Sequence, residues 1–227
     1  MTIPVNQLTK AEIVWLANHH CKAHRVDFLS HYNCFLREKP LESPFYERIG
    51  FLDIEATGLK ANWDFMLCYC IKELDGKILG RHLKPKEILS YKFDLDLVKE
   101  LLVDMQKFHR LVVYYGSNYR YDIPFCRTRA EKWGLDFPVY RSQWVTDVYD
   151  IAKQKLCLHR TRLETVCNLL GIPSKGHRLE PDIWQKAQAG HPASLGFIFA
   201  HCKEDVISLE GAWKRLEKYS SRGKKSI

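Results

Sequence analysis

The run Phe51-Leu52-Asp53-Ile54-Glu55-Ala56-Thr57-Gly58-Leu59 sets two carboxylates one residue apart in an apolar, strand-like segment that ends in a glycine turn. Side chains alternate faces along a strand. Phe51, Asp53 and Glu55 therefore share one side, and Leu52 and Ile54 take the other, into a core. Two carboxylates on one face of a partly buried strand repel each other and lose hydration, and a hard divalent cation removes that cost. Asp-x-Glu alone also describes a strand end with two solvated acids, so the other acids along the chain decide between the readings.

A second acid follows the apolar run Leu111-Val112-Val113-Tyr114-Tyr115 and the turn Gly116-Ser117-Asn118. Tyr121-Asp122-Ile123-Pro124-Phe125 then reads as the start of a helix, where Pro124 lacks no intrahelical bond and the helix dipole favours an ionised Asp122. The plain alternative is a helix-start acid without further role. The third element lies on a helix from Pro192 to about Leu216, with an apolar face through Leu195, Phe199, Val206, Leu209 and Trp213. His201 and Asp205 project from one side of it, one turn apart. Pairs of this spacing also decorate ordinary helix surfaces. Three such elements in this order form a stronger signal than any one of them.

Asp53-x-Glu55, Asn118-x-x-x-Asp122 and His201-x-x-x-Asp205 resemble the three exonuclease motifs of the DEDD superfamily, the 3′-5′ exonucleases with a ribonuclease H-like fold. The resemblance covers roughly residues 49 to 216 and is strongest to the stand-alone predicted exonucleases related to the proofreading domain of family B polymerases. Thr146-Asp147-Val148-Tyr149-Asp150-Ile151-Ala152 is similar to the strand-to-helix stretch before the family's last motifs, and Leu163 to Ile172 to its short helix followed by Gly-Ile. The resemblance implies an α/β fold with a mixed sheet flanked by helices. It also implies that Asp53, Glu55, Asp122 and Asp205 hold two Mg²⁺ or Mn²⁺ ions, and that nucleic acid is hydrolysed from single-stranded 3′ ends to nucleoside 5′-monophosphates. His201 becomes the candidate proton acceptor. Substrate contacts are expected from Thr57, Gly58 and Leu59, and from Asn118, Tyr121 and Lys175. The tyrosine subgroup has Tyr four residues before the last Asp and the histidine subgroup has His five before it, whereas this chain has His at the tyrosine spacing. The subgroup, and the choice between base and water-orienting group for His201, therefore stay open.

At 227 residues the chain is long enough for one α/β domain and a small appendage. Its 35 Lys and Arg against 27 Asp and Glu give a net charge of +8, which favours phosphates but also occurs in proteins that never meet them. Arg120, Arg127, Arg129, Lys132, Arg160, Arg162, Lys175, His177 and Arg178 cluster around the motifs, where they either line a groove for the strand or form solvated helix faces. Trp63, Phe65, Tyr119 and Tyr121 neighbour the proposed ligands and are candidates to stack on bases, Phe65 and Tyr121 first.

No stretch is long and apolar enough to span a membrane, and Met1 to Lys10 lacks the apolar region of a secretory signal. An intracellular, cytoplasmic protein without a membrane partner is expected, with its eight cysteines as thiols or metal ligands. Cys68, Cys70, Cys126, Cys157, Cys167 and Cys202 read as core. Cys21-x-x-His24 and His31-x-x-Cys34 are mirrored spacings that suit a tetrahedral structural zinc, with His19 and His20 as competing ligands. Alternatively, Cys21 and His24 share one face of the helix that Thr9 and Glu12 cap.

The expected organisation is a helical appendage over residues 1–48, a catalytic domain over 49–219 and a basic tail over 220–227 carrying Arg222, Lys224 and Lys225. Gly176 to Ala193 is expected to form a short helix between loops that closes over the site. Two further functional readings stand beside the exonuclease: a structure-specific endonuclease on the same scaffold, and a noncatalytic nucleic-acid-binding protein. No Gly-x-x-x-x-Gly-Lys-Ser or other nucleotide-binding motif accompanies the domain, so a proofreading or processing role calls for a separate polymerase or repair partner.

Overall fold

The computed structural model describes residues 10–38, 40, 47–117, 119–139, 142–173 and 179–220. Asn118 and Lys175 lie outside them, as do His177, Arg178 and the tail from residue 221. The chain divides into two compact units, Met1–Glu47 and Arg48–Ile227.

In the N-terminal unit, helix α1 (Lys10–Asn18) leads through a tight turn to the isolated antiparallel bridge His20↔Asp27, and α2 (Tyr32–Glu38) follows. Cys21 and His24 lie in that turn, where Arg25 donates its backbone N–H to the Cys21 carbonyl, and not on a helix face. Among the described residues of the unit, Leu16, Cys21, Phe28, Cys34 and Phe35 are the buried apolar ones.

The second unit is built on a five-stranded sheet in the order β3-β2-β1-β4-β5. β1 (Ile49–Ala56) pairs antiparallel with β2 (Met66–Glu73), which pairs antiparallel with β3 (Ile78–His82). On its other edge β1 runs parallel to β4 (Arg110–Val113), and β4 runs parallel to β5 (Trp144–Asp147). Parallel neighbours need crossovers. Helices α3 (Pro85–Leu89) and α4 (Leu95–Met105) fall between β3 and β4, and α5 (Asp122–Lys132) falls between β4 and β5. After β5 come α6 (Val148–Lys155), α7 (Leu163–Leu170), α8 (Pro181–Gln188) and α9 (Pro192–Leu216). Gly171 ends α7 in the left-handed conformation (φ 67°), which glycine adopts without a Cβ penalty.

Alternation along β1 holds as read, but both of its faces are covered. Phe51 packs edge-on against Trp213 of α9, ring centroids 5.6 Å apart, so the face that carries Asp53 and Glu55 lies under α9. On the opposite face Tyr69, paired with Ile54 across the sheet, donates its hydroxyl to Asp104 of α4 at 2.8 Å. The result is a layered α/β domain with its core on both sides of the sheet.

Two of the cations expected either to line a groove or to sit on solvated helix faces serve the interior instead. Arg129 is 1 % exposed and forms a two-point ion pair with Asp94, Nη2 to Oδ1 at 2.6 Å and Nε to Oδ2 at 2.8 Å. Arg120 pairs with Asp147 at 2.7 Å and with Asp150, and its guanidinium lies over the Tyr115, Tyr119 and Tyr149 rings. Cys157 is exposed rather than core, because it follows the end of α6, whereas Cys68, Cys70, Cys126, Cys167 and Cys202 are buried.

Candidate active site

Asp53 and Glu55 stand at the carboxyl end of β1, and Asp122 opens α5 shortly after the parallel neighbour β4. α9 crosses the same face of β1, held there by the Cys202 thiol, which donates to the Asp53 carbonyl at 3.4 Å. One ligand atom from each of Glu55, His201 and Asp205 lies within 4.8 Å of the others. Asp53 joins this group electrostatically: burial pushes its carboxyl well above the ordinary range, and the charges of Asp205, Glu55 and Asp122 push it further. Its Oδ2 is wholly buried and has no hydrogen-bond partner among the described residues. Burial, followed by the charges of Asp147, Glu55 and Asp205, likewise raises the carboxyl of Asp122.

Four carboxylates that desolvate and repel one another cannot all ionise at neutral pH without a compensating positive charge. The donors are hard oxygens with one imidazole beside them, which fits Mg²⁺ or Mn²⁺. The buried, unpartnered Asp53 oxygen is the observation that fits a cation best, since a native side chain seldom leaves such an atom unsatisfied.

The surrounding residues hold this cluster in place. Cys70 and Cys68 oppose Asp53 and Glu55 across the β1–β2 register, and burial raises the Cys68 and Cys202 thiols, so the floor of the site is neutral sulfur. Tyr121 donates its hydroxyl to the Gly58 carbonyl at 3.0 Å, tying the start of α5 to the turn after β1. In that turn Thr57 donates from its hydroxyl to Asp64 at 3.2 Å, and its carbonyl accepts from Gln188 of α8 at 2.9 Å. Leu59 is exposed beside it. Asp147 accepts from the backbone N–H groups of Tyr115, Ser117 and Tyr149 as well as from Arg120, which shapes the loop that delivers Asp122. A Cβ on Gly116 would stand 1.9 Å from the Asp122 Oδ2, so only glycine leaves room for that carboxylate.

Of the candidate stacking residues, Phe65 is stacked on Phe93 at 4.9 Å and Tyr121 is committed to Gly58. Trp63 and Tyr119, 83 % and 70 % exposed, are the rings open to solvent. In the sequence Asp147 belongs only to a strand-to-helix stretch, Gly116 only to a turn and the three thiols only to the core. An Asp immediately before a helix is a readable capping signal, and Asp147 does cap α6. The thiol floor depends on strand register and carried no signal.

A separate group of ligand type lies in the N-terminal unit, where Cys21, His24, His31 and Cys34 also bring their ligand atoms within 4.8 Å of one another. Hydrogen bonding to His31 leads the influences that pull the Cys21 thiol down to about 6. No helix among the described residues is long and apolar enough to cross a membrane.

No curated protein sequence matches the chain. Among solved structures it is similar to the family B DNA polymerase of the hyperthermophilic archaeon Pyrobaculum calidifontis, with a TM-score of 0.56 and 19% sequence identity over 77% of this chain. It spans only 25% of that polymerase, so the likeness is one of fold. The family model described as the RNase_H superfamily matches residues 50–216, the stretch that carries the sheet, both acidic ends and α9. A mixed sheet in the order 3-2-1-4-5 with acids gathered on its central strand is thus matched by family over most of its length, and the chain belongs to the RNase_H superfamily.

Proposed function

We propose that the protein is a divalent-metal-dependent 3′-5′ exonuclease that hydrolyses phosphodiester bonds at single-stranded DNA or RNA ends and releases nucleoside 5′-monophosphates. The observation that carries this reading is the gathering of Glu55, His201 and Asp205 within ligand distance, with the buried carboxyls of Asp53 and Asp122 adjoining them by charge. Asp53, Glu55, Asp122 and Asp205 would hold two Mg²⁺ or Mn²⁺ ions, which when bound activate the attacking water and stabilise the leaving 3′-oxygen.

His201 takes up the water proton as the new phosphorus–oxygen bond forms, a role suited to an imidazole beside carboxylates. The leaving 3′-oxygen is protonated from solvent as its bond to phosphorus breaks. Half-buried Tyr121, bonded to the Gly58 turn, forms one wall, while the exposed Trp63 and Tyr119 rings offer stacking surfaces for terminal bases. Arg127 and Lys132 remain candidates for phosphate contact, although each already lies over an aromatic ring, Phe137 and Trp133.

The test compares 3′- and 5′-labelled linear DNA and RNA oligonucleotides and single-stranded circles, with Mg²⁺, with Mn²⁺ and with chelator. Stepwise shortening from the 3′ end with circles left intact is expected. Cleavage of the circles would replace this reading with an endonuclease, and no hydrolysis of any substrate with either metal would remove the catalytic reading.

Gly116→Ala tests the geometry independently. A methyl group 1.9 Å from the Asp122 oxygen must displace that carboxylate. A displacement of about 1 Å at a reacting centre costs on the order of 10²-fold in rate. Turnover of a linear oligonucleotide should fall by that factor with the circular dichroism spectrum unchanged.

A further inference from the structure

We propose that Cys21, His24, His31 and Cys34 hold a single structural zinc ion that organises the N-terminal unit, a second metal centre separate in chemistry from the acidic one. The Cys21 Sγ lies 3.6 Å from the Nδ1 atoms of both His24 and His31, and the Cys34 Sγ lies 3.4 Å from the His24 Nδ1. Zinc–sulfur bonds of about 2.3 Å and zinc–nitrogen bonds of about 2.0–2.1 Å at a tetrahedral angle put sulfur and nitrogen ~3.6 Å apart. The observed separations match that value. Hydrogen bonding alone explains them poorly, because one atom, the His24 Nδ1, faces both sulfurs at once. One metal ion at the centre of the group satisfies all the contacts together.

The donor set is complete and selective. One arm comes from the turn after α1 and the other from the start of α2, so the ion links both helices of the unit. His19, a competing ligand by sequence, donates from Nδ1 to the Trp15 carbonyl at 2.8 Å and is stacked on the Trp15 ring at 3.9 Å. His20 is outside the group. Arg37 donates from Nη2 to the Cys34 Sγ at 3.1 Å, the contact expected around a metal-bound thiolate. Two sulfurs and two imidazoles select zinc over magnesium or manganese, and four protein ligands leave no position open for catalysis. Among the described residues the unit's buried apolar core is five, two of them the ligating cysteines, a small core that an ion bound by both helices would reinforce.

The test is elemental analysis of the full-length, untagged protein purified without added metal, paired with spectroscopy of the Co²⁺-substituted form. Near-stoichiometric zinc is expected. Cobalt should give tetrahedral d–d bands with thiolate charge transfer, and both bands should disappear in Cys34→Ser. Should Cys34→Ser fail to fold, the parent protein still decides the matter: a thiol-blocking reagent should release zinc in step with modification of two cysteines. Zinc-free parent protein, zinc retained in a Cys21→Ser and Cys34→Ser double variant, or a Cys21–Cys34 disulfide in place of metal would each overturn the proposal. Hydrolysis is measured separately with Mg²⁺, so failure of the nuclease reading leaves this result untouched.

Discussion

Asp53→Asn is expected to slow hydrolysis by about two to three orders of magnitude and, at the same time, to raise the melting temperature of the metal-free protein. The two effects share one cause. The Asp53 carboxyl is buried among Asp205, Glu55 and Asp122, and its Oδ2 finds no hydrogen-bond donor among the described residues. In the metal-free fold that arrangement is a liability, because ionising the group requires desolvation and close repulsion together. Each unit by which a fold raises a carboxyl pKa weakens it by ~1.4 kcal/mol once the group ionises. For a chain of this size about 1 kcal/mol corresponds to roughly 2–4 °C in melting temperature. The amide of Asn keeps the shape and removes the charge, so the metal-free variant should melt at least a few degrees higher. With Mg²⁺ or Mn²⁺ the order should reverse, since the parent gains binding energy that the variant forgoes. The rate on a 3′-labelled oligonucleotide should drop on the order of 10²–10³-fold, the scale for losing one fixed electrostatic contact to a transition state. Differential scanning calorimetry with and without metal measures the first effect and single-turnover hydrolysis the second. A variant of equal activity, or one less stable than the parent without metal, would show that Asp53 is a structural acid.

What could be read beforehand, and what could not, divides along a physical line. Strand β1, the helix start at Asp122 and the long face of α9 rest on local periodicity and helix-end chemistry, which a sequence carries openly. The same is true of the acidic motifs, each of which is compact in the chain. Arg129 and Asp94, by contrast, stand 35 residues apart, and Arg120 and Asp147 stand 27 apart. Nothing local distinguishes a cation bound for the interior from one in a groove or on a solvated helix face, so the sequence leaves both residues among the surface cations. The stacking residues followed the same rule. Phe65 and Trp63 are neighbours in sequence, yet Phe65 turns inward against Phe93 while Trp63 faces water. Cys21 and His24 show the reverse, since their spacing fitted both a helix face and a metal turn until the end of α1 at Asn18 removed the first.

Arg129→Met should be the most destabilising single substitution of a charged residue in the second unit. The guanidinium is fully buried and makes two bonds to the Asp94 carboxylate. Its Nη1 also donates to the carbonyls of Ala61 and Asp64, each at 2.9 Å. Asp94 is equally buried and accepts further bonds from the Met66 backbone N–H at 2.8 Å and the Trp133 indole at 2.9 Å. One side chain thus joins α5 to the start of α4, to the first residue of β2 through Asp94, and to the segment that follows the Thr57–Leu59 turn. Removing one member of a buried ion pair strands the other charge in a low-dielectric interior, at a cost of about 3–5 kcal/mol. Met matches the length of the removed stem, so the loss reports the charge and its hydrogen bonds more than a cavity. Chemical denaturation should show a stability lower by that amount, or the variant should fail to accumulate as folded protein. Arg129→Met combined with Asp94→Leu separates the terms: it removes the stranded charge and should recover part of the loss, leaving unrecovered the bonds to Ala61, Asp64, Met66 and Trp133. Hydrolysis by the double variant should fall even where stability returns, because Asp64 accepts from Thr57 at 3.2 Å and anchors the turn beside the acids. A single variant within about 0.5 kcal/mol of the parent, the range of ordinary surface substitutions, would mean that the pair is replaceable and that the turn is held by other contacts.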